Sequence, residues 1–267
     1  MAAHPSDEAY LRLILDALDV CRRYRPKFGK GRRSGFTLDE FRQLYQADPF
    51  YTWFGLDSPL VYSAHKAAGG ITSVYRQIGI ACERLIRQVF QDALGLTSED
   101  AHWSYQVRGR RGRERTLSLD ARIPLDRISD ESRRATLSEW LTTAAREARV
   151  SERAVAHLNG AVFEVRQGYK SKDSKRQNAD IGNAANAYAH SYLPVVLLLS
   201  GQIDSDIEDR YARAQWTILR GVLDGTPWNS SYAFSENMLG YDLAAFFRRN
   251  SPAIKVEVQR IIQDLLE

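Results

Sequence analysis

The stretch Gly160–Ile181, GAVFEVRQGYKSKDSKRQNADI, sets a carboxylate inside an otherwise apolar, β-forming run. Ala161, Val162, Phe163 and Val165 are a small residue and β-formers, so the segment predicts a strand. The period-two alternation of a strand then lines Glu164, Arg166, Gly168 and Lys170 along one face. A charge in such a setting is expensive unless a partner meets it. One acid and two cations on a single face therefore describe either a salt-bridged strand face or a site. The polar run Ser171–Gln177 and a helical pattern come after it, so the charged face emerges at a strand end, where α/β sheets usually meet their ligands.

The bulk composition bounds the class of protein without choosing a function. With 267 residues, 44% hydrophobic and 10% aromatic, the chain predicts a packed globular protein. The net charge is only +4, but arginines gather in two glycine-containing stretches, KFGKGRRSG at Lys27–Gly35 and GRRGRER at Gly109–Arg115. Neither has the order of a phosphate-binding loop. Each reads as a solvated loop or as a contact for a phosphate backbone. The two cysteines, Cys21 and Cys82, fall on apolar helical faces and read as buried thiols, which leaves no disulfide framework and no Cys-ligated zinc. His4, His65, His102, His157 and His190 are scattered. The longest apolar run, Leu193–Leu199, is too short to span a bilayer, and Met1–Pro5 lacks a signal pattern, so a cytoplasmic protein without a membrane segment is expected.

Along the chain, Ser6 predicts a helix cap, with the helix running to about Tyr24 before Pro26. Thr37 and Glu40 predict a capping box for a short helix to about Gln46. Pro49–Pro59 reads as irregular, with Phe50, Tyr51, Trp53 and Phe54 as core or interface anchors. After Gly69 and Gly70 a long amphipathic helix is expected over Ile71–Leu94, with Gly95 beyond its end. Trp103–Arg108 and Thr116–Ile123 predict a hairpin with an arginine-rich tip, and Asp120 points away from the main apolar set of its strand. Helices are expected over Ser132–Arg149, over Ser174–Tyr192, from a Ser205/Glu208 capping box to Arg220, and twice more, the last opening at Ser251-Pro252. Leu193–Ser200 predicts a strand buried on both faces. The expected architecture is α/β (α+β): one domain of 267 residues with a helical part over 1–69, a mixed-sheet core over 70–200 and a helical part over 201–267.

With Asp120 in one strand of that series and Glu164 in the next, the sequence resembles the PD-(D/E)xK nuclease superfamily, and most closely its type II restriction endonucleases. The resemblance covers about half the chain. It implies a restriction-endonuclease-like core and Mg²⁺ held by Asp120 and Glu164. It also implies a further carboxylate from a Gly-x-x-x-Glu helix, matched here by Gly79 and Glu83. Two departures stand out: Leu119 precedes the aspartate where the family has proline, and the third-strand motif reads Glu164-Val165-Arg166, with arginine in the lysine place. Either Arg166 or Lys170, on the same face, fills the lysine role: Lys170 is preferred, with Arg166 on the scissile phosphate, because arginine does not give up its proton, while a cation that only stabilises charge could be either.

The resemblance further implies a restriction-system hydrolase that cuts double-stranded DNA at a short sequence as a two-fold homodimer. Candidate DNA contacts are Arg110, Arg111 and Arg113 in the hairpin tip, Lys30, Arg32 and Arg33 in the first basic loop, and Lys172, Lys175, Arg176 and Asn178 after the acidic strand. Asn183 and Asn186 join them, since an asparagine amide pairs with adenine in the major groove. Gln177 and Tyr188 lie on the helix that packs between site and DNA in such enzymes. Two rival readings remain: a repair or recombination nuclease of the same superfamily, and a DNA-binding protein that keeps the fold without the chemistry.

Overall fold

A computed structural model describes residues 5–28, 34–108, 114–168 and 174–266, and for 107, 108, 115 and 174–181 the backbone alone. The helices are α1 (Asp7–Asp19), α2 (Leu38–Gln46), α3 (Pro49–Trp53), α4 (Pro59–Leu94), α5 (Glu131–Glu147), α6 (Glu152–Val155), α7 (Ser174–Ala189), α8 (Ser205–Arg213), α9 (Ser231–Leu239) and α10 (Leu243–Leu266). The strands are β1 (Trp103–Arg108), β2 (Glu114–Leu119), β3 (Ala121–Pro124), β4 (Gly160–Arg166), β5 (Tyr192–Leu198) and β6 (Thr217–Leu219). The protein is therefore mixed α and β. Among the described residues no helix is long and apolar enough to cross a membrane.

Two compact units result. One spans Cys82–Phe247 and the other joins Ala2–Ala81 to Arg248–Glu267. The first contains both sheets. β1 and β2 form an antiparallel hairpin, while β3, β4, β5 and β6 form a four-stranded sheet in that order, antiparallel at β3–β4 and parallel beyond. β4 and β5 are the inner strands and are apolar almost throughout, as burial on both faces requires.

Phe163 of β4 meets Phe90 of α4, Phe234 of α9 and, more distantly, Trp140 of α5, at ring separations of 4.8, 5.8 and 6.5 Å. Its neighbour Val162, on the opposite face, joins a core with Trp103, Leu119, Ala184, Ala187, Ile207 and Trp216. Helices α4, α5 and α9 thus cover one face of the sheet, and the hairpin with α7 and α8 covers the other. Glu164 and Arg166 share the parity of Val162 and belong to the α7 side.

In the second unit, Asp7 is buried and pairs with Arg249, whose Nη2 lies 2.6 Å from Asp7 Oδ2. Thr37 and Glu40 make the expected capping box of α2. Gly69 and Gly70 do not start a helix, because α4 runs through them from Pro59. They are small for packing: a Cβ on Gly69 would collide with the Tyr24 hydroxyl, and one on Gly70 with the Leu265 side chain.

Several other local expectations are corrected. Ser6 makes no side-chain cap, and the regular helix ends at Asp19 before a 3-10 turn over Val20–Arg23. The residue capping α8 is Asp204, whose carboxylate accepts from Asp206 N, and the helix stops at Arg213. Beyond it the chain forms β6, which adds the fourth strand to the sheet. Helix α7 ends at Ala189, and Tyr192 already belongs to β5. Pro252 lies inside α10 instead of opening it.

Gly160 begins β4 opposite Pro124, and a Cβ there would collide with the Ile123 carbonyl oxygen. The atom it meets is backbone, so it cannot swing aside. Gly160→Ala is expected to lower unfolding stability by about 1–3 kcal/mol, read as a lower urea midpoint at unchanged slope. An unchanged midpoint would show that β3 and β4 part easily.

Candidate functional site

The site is built where one strand becomes two. β2 pairs with β1 up to Leu119 and β3 pairs with β4 from Ala121, so the chain bends at Asp120. The backbone N–H of Asp120 still donates to Phe163 O at 2.9 Å. One step further along β4, the N–H of Val165 finds a carboxylate in place of a backbone partner: it donates to Asp120 Oδ2 at 2.8 Å. The side chain thereby completes a ladder that the bend would otherwise leave open, as a buried N–H requires. Arg87 of α4 secures the same residue from another element, its Nε donating to Asp120 O at 2.7 Å.

Glu164 lies in the middle of β4 at 5% exposure. Arg166, two residues on and on the same face, forms an ion pair with Glu164 through Nη2, while its Nη1 lies 3.8 Å from Asp120 Oδ2. One guanidinium thus lies between a carboxylate of β4 and one from the bend between β2 and β3. The side chains of Arg166 and Asp120 are 13% and 19% exposed, so the cluster sits at the margin of the interior, within reach of solvent. Arg166 Nε is buried and has no hydrogen-bond partner among the described residues. A guanidinium N–H left in that state costs on the order of 1–3 kcal/mol.

The two acids and the arginine expected at the site are therefore together. Glu83 is half-buried on α4, one turn before Arg87, and residues four apart share a helix face. Arg87 itself was not anticipated from the sequence; its spacing from Glu83 is the signal that would have pointed to it.

Lys170 and Lys172 lie outside the described residues, as do Lys30, Arg32, Arg33, Arg110, Arg111 and Arg113, and Lys175, Arg176, Gln177 and Asn178 are described by backbone alone. Asn183 is buried and accepts a hydrogen bond from the Tyr105 hydroxyl, which ties α7 to the hairpin and keeps its amide from any base edge. Asn186 Nδ2 donates to Gly182 O one turn back, at 2.8 Å. Tyr188 donates to Gln215 O at 2.6 Å, and burial raises its phenol pKa, so it serves as an anchor for α7. Burial pushes the Cys82 thiol up to about 12, in keeping with an inert core cysteine.

Among the described residues no group of three or more His, Cys, Asp or Glu side chains is arranged to hold a metal ion. The donor set at this site is two carboxylates, hard oxygen ligands of the kind that suit magnesium. Comparison of the chain with protein-family models, with curated proteins and with solved structures finds no match.

Arg166→Met would leave Glu164 in the sheet without its cation. The expected loss is about 3–5 kcal/mol at pH 7, because breaking a buried pair costs more than the pair contributes. The double change Glu164→Gln with Arg166→Met should recover part of that loss in chemical denaturation. A double variant no more stable than Arg166→Met alone would show that the two side chains are not energetically coupled.

Proposed function

We propose that the protein is a Mg²⁺-dependent DNA endonuclease with a restriction-endonuclease-like core, acting on double-stranded DNA as a type II restriction enzyme and assembling as a homodimer. The observation that carries this reading is the convergence of Asp120, from the bend between β2 and β3, and Glu164, from β4, on one guanidinium. The order α4, β1, β2–β3, β4, α7, β5, with the acids in the second and third strand segments, supports it.

Asp120 and Glu164 would hold the ion through carboxylate oxygens, with Glu83 as an accessory acid from the helix. Bound there, Mg²⁺ supplies a Lewis acid that lowers the pKa of water and offsets charge on the phosphate. The protein's own groups divide the remaining work. Arg166 presents a fixed fork of N–H donors to a non-bridging phosphate oxygen, which would give Nε the acceptor it lacks. It stabilises charge and takes no proton. Lys170 would be the group that exchanges one. Arg110, Arg111, Arg113, Arg32, Arg33, Lys172, Lys175, Arg176 and Asn178 would track the duplex backbone and base edges.

A second reading has an observation behind it. Arg166 already offsets part of the charge of Asp120 and Glu164, and Asp120 supports the ladder, so a DNA-binding protein without catalysis would keep the same three residues. Plasmid cleavage separates the two. With Mg²⁺ present, discrete fragments are expected from the unaltered chain. Asp120→Asn and Glu164→Gln, which keep a hydrogen-bond acceptor in place, should each lower the rate at least about 100-fold, or ~2.7 kcal/mol of transition-state stabilisation. Tight binding with no cleavage in Mg²⁺ or Mn²⁺ would leave the binding protein standing. Cleavage without a banding pattern would point to a repair nuclease.

A further inference from the structure

Pro49–Pro59 carries aromatics that the sequence offers as core or interface anchors, and the structure decides against the core. Trp53 is 80% exposed, Phe54 67%, Phe50 56% and Leu60, at the start of α4, 80%. Phe50 lies with its ring centroid 5.0 Å from that of Phe54 and 6.0 Å from that of Tyr51, so the exposed rings of this segment cluster. Along α4 the exposed apolar positions continue. Leu60, Ala64, Ala68, Ile71 and Tyr75 recur every three or four residues and make a stripe about 22 Å long. Tyr75 is 56% exposed and Ile71 39%. All of these residues belong to the unit formed by Ala2–Ala81 and Arg248–Glu267.

We infer that this surface pairs two copies of the chain. Its area fits. Weighted by their exposures, Phe50, Trp53, Phe54, Leu60, Ile71 and Tyr75 present roughly 700 Å², close to the ~800 Å² each partner contributes to a standard interface. A monomer seldom leaves so much apolar surface in water.

Charge gives nucleic acid no hold as the occupant. From Asp48 to Arg76 the charged residues are Asp48, Asp57, Lys66 and Arg76, which cancel, so the stripe offers no net positive charge to a phosphate backbone or an anionic membrane. An apolar stripe on a long helix also meets its own image across a two-fold axis without any change of shape. The proposal rests on the nuclease reading only for the expectation of two copies; the surface itself is argued from exposure and charge.

Sedimentation of the full chain, without DNA or metal, tests the pairing separately from cleavage. The unaltered chain should run at twice its 30.4 kDa mass at low micromolar concentration. Trp53→Glu and Leu60→Glu, both at exposed positions, should each weaken the dimer at least about 10-fold. Backbone hydrogen exchange over residues 49–75 of the unaltered chain should slow as concentration rises, a measurement that does not depend on the variants folding. A monomer up to about 100 μM, well above a Kd that such an area supports, would overturn the proposal. So would a dimer indifferent to both substitutions whose exchange over 49–75 does not vary with concentration.

Discussion

A carboxylate in an inner β-strand has to be answered by a cation, and the first unit is arranged around that requirement at Glu164. Flanked by Phe163 and Val165 and paired with Val196 of β5, Glu164 has almost no access to water. The nearest place from which the same strand can supply a partner is two residues on, and Arg166 stands there. The guanidinium then brings in a second acid, because its other nitrogen reaches toward Asp120. The bend that separates β2 from β3 lets Asp120 approach: its backbone keeps the ladder to Phe163 while its carboxylate accepts from Val165. The same three residues complete the ladder and offset one of the two negative charges.

This arrangement is not an efficient way to make a stable protein. Withdrawing charged groups from water costs several kcal/mol per ion, and a buried pair often does no better than apolar side chains of similar volume. Val162 and Val196, from the same sheet face, show that apolar packing is available there. A charged cluster held where valine or leucine would fit is accordingly better explained by what it does than by what it holds together. Partly buried charges at the end of a strand are a common setting for chemistry, as they are for structural ion networks.

How much of this was legible in the sequence depended on the range of the signal. The Thr37/Glu40 capping box is a four-residue pattern, and it forms as read. The alternation that put Glu164 and Arg166 on one face also held, because a strand fixes side-chain parity without help from the rest of the fold. Signals that depend on distant partners were misleading. Gly69 and Gly70 resemble a helix start, but α4 runs through them since Tyr24 and Leu265 need the space. Thr217–Leu219 is only three residues long and is recruited by β5, so no periodicity announces it. Trp53 and Phe54 have the composition of a core, and their exposure depends on what else reaches them in the fold. The approach of Arg87 to Asp120 joins positions 33 apart, and its one local trace is the four-residue spacing of Arg87 from Glu83.

The arginine in the lysine place sharpens the chemical argument. A guanidinium stays charged at any pH a protein tolerates, so Arg166 contributes the same field whether or not substrate is bound. Its planar fork also suits two oxygen acceptors at once, which a lysine ammonium does not match. In the structure Nη2 pairs with Glu164, while Nη1 donates to Val165 O at 3.4 Å and lies 3.8 Å from Asp120 Oδ2, an ion-pair separation. A phosphodiester brought beside the acids would offer oxygens of the same kind, and would compete for the same N–H donors. Under the nuclease proposal, exchange of one acceptor for another would let a single residue offset the acids in the substrate-free site and grip the phosphate in the loaded one. A proton acceptor would then have to come from elsewhere, the role proposed for Lys170.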